Sequence, residues 1–101
     1  MVKSVTGSQS SEYVLYVDGS SRTAQLTFNA SGFSISSGLS NYVITSFVPS
    51  EYRPVQDMYS KIARVQSLLF YLWSDGTVGL ANFNSSTLTN QVGSCLLQWE
   101  Y

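Results

Sequence analysis

Apolar residues in this chain come in short runs rich in valine, tyrosine and phenylalanine, and each run is cut by glycine, asparagine, aspartate or serine before a helix of several turns could form. That spacing supplies what strands need, which is β-branched and aromatic side chains bounded by residues that reverse the chain. Tyr13 to Val17 reads as a strand, and Asp18-Gly19-Ser20-Ser21 as the turn after it. Thr23 to Phe28 alternates, with Ala24, Leu26 and Phe28 on one face, and Asn29-Ala30-Ser31-Gly32 is expected to turn the chain into Phe33-Ser34-Ile35. Asn41 to Val48 reads as a long strand ending at Pro49. Irregular backbone is expected around Arg53, before a strand resumes near Met58. The run Leu68 to Trp73, then Asp75-Gly76, then Val78 to Ala81, has the pattern of a hairpin with a type I′ turn, in which both central residues take positive φ. Asn84 to Asn90 is a polar loop, and Gln91 to Tyr101 is the last strand. Many strands with no helix between them predict a single all-β domain, an antiparallel β-sandwich of jelly-roll-like type.

The faces of these strands carry more apolar surface than one core can use. Leu68, Phe70 and Leu72 share one face of their strand, yet Leu69, Tyr71 and Trp73 on the opposite face are also apolar. The same holds for Tyr42, Ile44 and Val48 against Val43 and Phe47. The surplus must be covered elsewhere, by another subunit or by a ligand. Trp99 and Tyr101, alternating with Gln98 and Glu100 and aligned with Cys95 and Leu97, form one continuous face that is expected to be core.

Composition narrows the function classes. Charged residues are 11% of the 101 and the net charge is −1, so the surface is polar but weakly charged. The widest basic grouping is Lys61 with Arg64, which is no footprint for a phosphate backbone, and no nucleic-acid partner is expected. Low charge favours self-association instead. No histidine is present, which excludes triads and metal sites built on it. Cys95 is the only cysteine and sits in the apolar run Cys95-Leu96-Leu97, so it reads as an inert packed thiol. The six carboxylates are Glu12, Asp18, Glu51, Asp57, Asp75 and Glu100, and turn geometry accounts for Asp18 and Asp75. The glycines are dispersed, with no phosphate-binding loop. No enzyme activity, catalytic residue, metal or cofactor is expected. No run approaches the roughly 20 apolar residues of a membrane span, so no membrane insertion is expected. Residues 1–11, rich in serine and glycine, are expected to be a linker or an added N-terminal segment, with residues 12–101 as the one β-sandwich domain.

From residue 42 onward, a little over half the chain, the order of elements resembles the head or tip domains of bacteriophage tail fibres and baseplate receptor-binding proteins. The elements are Ser46-Phe47-Val48-Pro49, then Tyr52-Arg53-Pro54, then Leu68, Phe70 and Leu72, then Asp75-Gly76-Thr77-Val78, and finally Trp99-Glu100-Tyr101. Ser50-Glu51 stands where such domains usually carry a glycine before the Tyr-Arg-Pro step. The resemblance implies a location in the virion at the tail tip or baseplate, a homotrimer, other tail or baseplate proteins as neighbours, and adhesion to a host surface saccharide without cleavage. The alternative it implies is a structural module that trimerises or caps a fibre and touches no receptor.

Five residues are candidates for ligand contact. Tyr71 and Trp73 offer flat rings with a polar edge that stack on sugar faces, or that fill a subunit interface, and their places on one long strand favour the interface. Arg53 between Tyr52 and Pro54 carries a planar fork suited to a carboxylate or to a structural pairing with Glu51 or Asp57. Asn82 and Asn84 flank Phe83 in a loop that mixes amide, hydroxyl and aromatic groups, the chemistry of neutral sugar recognition and also of ordinary solvated loops.

Overall fold

The computed structural model describes residues 2–6, 11–62 and 65–101. Its strands are β1 (Val2–Thr6), β2 (Ser11–Asp18), β3 (Thr23–Ile35), β4 (Gly38–Ile44), β5 (Met58–Ile62), β6 (Val65–Leu72), β7 (Val78–Asn82) and β8 (Leu88–Glu100), and one short 3-10 turn covers Ser50–Tyr52. The protein is all-β, as its strand-and-turn pattern predicts. All pairing is antiparallel, in a first sheet of order β1-β2-β3-β8 and a second of order β4-β7-β6-β5. The pairs β3–β8, β4–β7 and β5–β6 are nested one inside the next.

Alternation places the core. Tyr13, Leu15 and Val17 of β2 and Ala24, Leu26 and Phe28 of β3 are buried on the inner face of the first sheet. Leu68, Phe70 and Leu72 of β6 and Val78 and Leu80 of β7 meet them from the second. Where the sheets touch, Tyr13, Phe28 and Phe70 form a ring triad with centroids 5.2 to 5.8 Å apart, in tilted geometry that suits the ring quadrupoles. Leu97 and Trp99 of β8 are buried, and Cys95 and Tyr101 pack partly buried against the same cluster. The Trp99 indole Nε1–H donates to the Tyr52 carbonyl at 2.7 Å, so the buried donor is satisfied. Burial pushes the Cys95 thiol pKa up, which keeps it protonated.

Four local expectations differ from what the chain does. The stretch expected as linker contains β1, which pairs with β2 from Val2↔Tyr16 to Thr6↔Glu12. The Lys3 Nζ donates to the Phe47 carbonyl at 2.7 Å and lies 4.8 Å from that ring's centre, which ties β1 to the segment after β4. Residues 1 and 7–10 of that stretch, and Arg64 of the basic pair, lie outside the described residues. At Asn29-Ala30-Ser31-Gly32 the chain bulges instead of turning. Gly32 takes φ +69°, Ser31 and Gly32 are both exposed, and β3 continues against β8 to return Phe33 and Ile35 to the core. A long partner strand keeps the ladder in place there, and the glycine absorbs the extra residue.

The strand after Asn41 ends at Ile44, before the expected Val48. Ser46 takes φ +52° and the chain leaves the sheet, and consecutive Phe47 and Val48 both join the buried core. Asp75-Gly76 does form a hairpin, but with a longer loop than type I′. Gly76 N–H donates to the Trp73 carbonyl at 2.9 Å, Trp73 N–H donates to the Thr77 carbonyl at 2.9 Å, and Gly76 at φ +86° is the loop's only residue in the left-handed region. This is the three-residue loop closed by a glycine bulge. Two carboxylates hold it: Asp57 accepts from Ser74 N–H at 2.7 Å and Asp75 from Thr77 N–H at 2.9 Å.

The ring triad yields a stability prediction. Phe70→Ala is expected to lower unfolding free energy by about 3–5 kcal/mol, measured by urea denaturation, because it removes a buried ring and leaves a cavity between two sheets. A loss below about 1 kcal/mol would mean that the sheets do not depend on this contact.

Candidate functional site

The outer face of the second sheet carries the surplus apolar residues. With Leu68, Phe70 and Leu72 turned inward, Leu69, Tyr71 and Trp73 face out, as the period-two pattern predicts. Tyr59 of β5, Tyr71 of β6 and Gly79 of β7 lie on one row across the sheet, and Lys61, Leu69 and Ala81 on the next. A Cβ at Gly79 would overlap the Tyr71 ring and hydroxyl, so the glycine is what lets that ring lie flat on the sheet. Trp73 stacks on Tyr71 with centroids 5.0 Å apart and planes 23° from parallel. Tyr71 is consequently only 6% exposed, while Tyr59, Phe83 and Trp73 keep 71%, 58% and 43% of their surface in solvent. Together with Leu69 and Ala81 they line a groove of about 430 Å³ made almost wholly of carbon.

Tyr71 and Trp73 therefore come together, and Tyr59 and Phe83 join them. Phe83 was legible as part of a mixed loop. Tyr59 carried no signal of its own, because only its register opposite Tyr71 brings it to the groove.

Arg53 and Asn82 are committed elsewhere. The Arg53 Nε–H donates to the Val48 carbonyl at 2.8 Å, and its guanidinium lies where a Cβ at Gly76 would sit. Val48 N–H in turn donates to the Gly76 carbonyl at 3.2 Å, so arginine, hairpin loop and core-inserted segment form one knot. Asn82 is buried. Its amide nitrogen donates to the carbonyls of Ile35 at 3.1 Å and Ser86 at 3.4 Å, and its oxygen accepts from Asn84 N–H at 2.9 Å. Asn84 is held by that bond, and its carbonyl accepts from the Ser37 hydroxyl at 2.7 Å. The asparagines shape the loop that carries Phe83.

A second concavity lies on the outer face of the first sheet, where no residue was singled out as a site. Tyr16, Gln25 and Gln98 lie in one row across β2, β3 and β8, and Asp18, Thr23 and Glu100 in the next. They line a shallow cleft of about 390 Å³. Its polarity contrasts with the carbon surface of the opposite groove. Among the described residues, no three side chains of the histidine, cysteine, aspartate or glutamate type gather where they could hold a metal ion.

The chain matches no protein-family model and no curated protein sequence.

The hairpin loop predicts an acid-dependent term in stability. The Asp75 carboxyl is held below its ordinary value of 3.8 chiefly by the Thr77 backbone N–H, then by the Thr77 hydroxyl, with a lesser contribution from Arg53. A group whose folded pKa is depressed adds stability above its unfolded value and loses it as pH falls through the folded value. Urea midpoints measured from neutral pH down to about 2 should fall less steeply below pH 4 in Asp75→Asn than in the parent chain. Parallel curves would show that the Thr77 bonds do not favour the charged form.

Proposed function

We propose that this chain is a non-enzymatic tip domain of a bacteriophage tail fibre or baseplate, which assembles as a homotrimer and adheres to a saccharide on the bacterial surface. In this reading the two sheets are the layers of a β-sandwich, and the nested pairs β3–β8, β4–β7 and β5–β6 favour a jelly-roll type. The virion supplies the other partners, namely neighbouring tail or baseplate proteins, and neither nucleic acid nor membrane insertion has a part. The order of the motifs from Ser46 to Tyr101 supports the family, and the absence of histidine supports adhesion without catalysis.

The observation that carries the reading is the exposed aromatic face of Tyr59, Trp73 and Phe83. A small monomer rarely leaves so many rings contiguous in water, and such patches mark association surfaces. A groove lined almost wholly by carbon suits further copies of the chain better than a sugar, whose hydroxyls need partners. Self-association through this face brings several copies of the domain together, so weak contacts with a repeated surface polymer add as avidity. The same observation supports the second reading, a structural trimerisation or capping module that meets no receptor.

Light scattering coupled to size exclusion tests the assembly. A mass of three chains is expected for the parent, and a lower mass for Trp73→Ala and Tyr59→Ser, both of which remove exposed rings without touching the core. A monomeric parent would sink the assembly reading. A trimer that persists in both variants while glycan binding falls would return Tyr71 and Trp73 to the role of sugar-stacking residues.

A further inference from the structure

Adhesion leaves open which surface meets the saccharide, and the cleft on the first sheet has the chemistry for it. Tyr16 keeps 49% of its surface exposed at one end of the row, offering a ring face to the C–H face of a pyranose. Beside it the Gln98 Nε2–H donates to the Gln25 Oε1 at 3.1 Å, which fixes both amides side by side. An amide pair joined by one such bond keeps, by valence, the NH₂ of Gln25 as donor and the carbonyl of Gln98 as acceptor for a third group. On the next row Asp18 is held in place by Ser20, whose N–H and hydroxyl donate to its Oδ1 at 3.0 and 2.7 Å. Glu100 lies across Thr23 from it and is exposed.

We propose that this cleft is the saccharide-binding site and that it takes a neutral, hydroxyl-rich glycan in preference to one bearing phosphate or carboxylate. Carboxylates accept from sugar hydroxyls in strong charge-assisted bonds, amides serve both hydroxyl hydrogens and oxygens, and the ring excludes water from one face of the sugar. The same two carboxylates repel an anionic polymer, which is discrimination by an unfavourable contact. The inference rests on the adhesion reading. It is compatible with assembly through the second sheet, because the cleft lies on the other sheet's outer face.

The test is a titration of the full ¹⁵N-labelled chain followed by NMR. The neutral probes are maltotriose and tri-N-acetylchitotriose, with sialyllactose and a glycerol-phosphate oligomer as anionic probes. At least one neutral probe is expected to shift the side-chain amide signals of Gln25 and Gln98 saturably, and the anionic probes are expected to leave them unmoved. Tyr16→Ala and Gln98→Ala should each weaken that binding by about tenfold with the solution mass unchanged. If either variant melts early, Tyr16→Ser or Gln98→Ser takes its place. Neutral probes that leave both amides unmoved overturn the inference, as does an equal response to the anionic probes. Shifts at Tyr59 and Trp73 instead would move the site to the other sheet and leave adhesion standing. Silence throughout, with no retention of the chain on bacterial cells, would overturn both.

Discussion

The contact on which the rest of this fold depends is the meeting of Tyr13, Phe28 and Phe70. Two of these rings come from adjacent strands of the first sheet and the third from the middle of the second. A domain of this size buries a modest share of its surface, so a few large rings supply much of what holds its two sheets together. Because the inner face of β6 is spent on that contact, its other face must point outward, and its apolar content becomes a property of the surface. Core and candidate assembly face are thus two sides of one strand.

The irregular segment between β4 and β5 joins the two sheets without belonging to either. Phe47 and Val48 plug into the core, the Phe47 carbonyl accepts from Lys3 on the edge of the first sheet, and the Val48 carbonyl accepts from Arg53. Tyr52 supplies the carbonyl for Trp99 of β8 and meets Tyr101 edge-on at 5.1 Å. The Tyr-Arg-Pro step, conspicuous in the sequence, therefore works as a staple. Its arginine is engaged with backbone and its tyrosine with the last strand.

Period-two alternation made most of the core legible, because burial on one face leaves a direct trace in sequence. Ala24, Leu26 and Phe28, and Leu68, Phe70 and Leu72, lie where alternation puts them. What was not legible came from partners distant in sequence. The bulge at Gly32 depends on β8 running alongside, and β1 depends on pairing with β2, so neither Asn-Ala-Ser-Gly nor a serine-rich start could be read locally. Asn82 looked like a loop amide until its carbonyl partner, Ile35, was known. Tyr71 and Trp73 were found because both faces of one strand are apolar, whereas Tyr16, Gln25 and Gln98 were individually ordinary and become a row only through two strand registers.

Nesting β3 against β8 has a consequence for the order in which the molecule can be made. Thr23 pairs with Glu100, so β3 must wait for β8 to leave the ribosome before its second edge is paired. Until then β3 is paired on one side only and presents a long row of unsatisfied amides and carbonyls. During synthesis the β5–β6–β7 meander can form from neighbours in sequence while the first sheet stays open, and closing it requires a long loop to be drawn in. When many copies are translated close together, that open edge can be filled by the β8 of another copy, so the same ladder that completes one chain offers a route to strand exchange between chains.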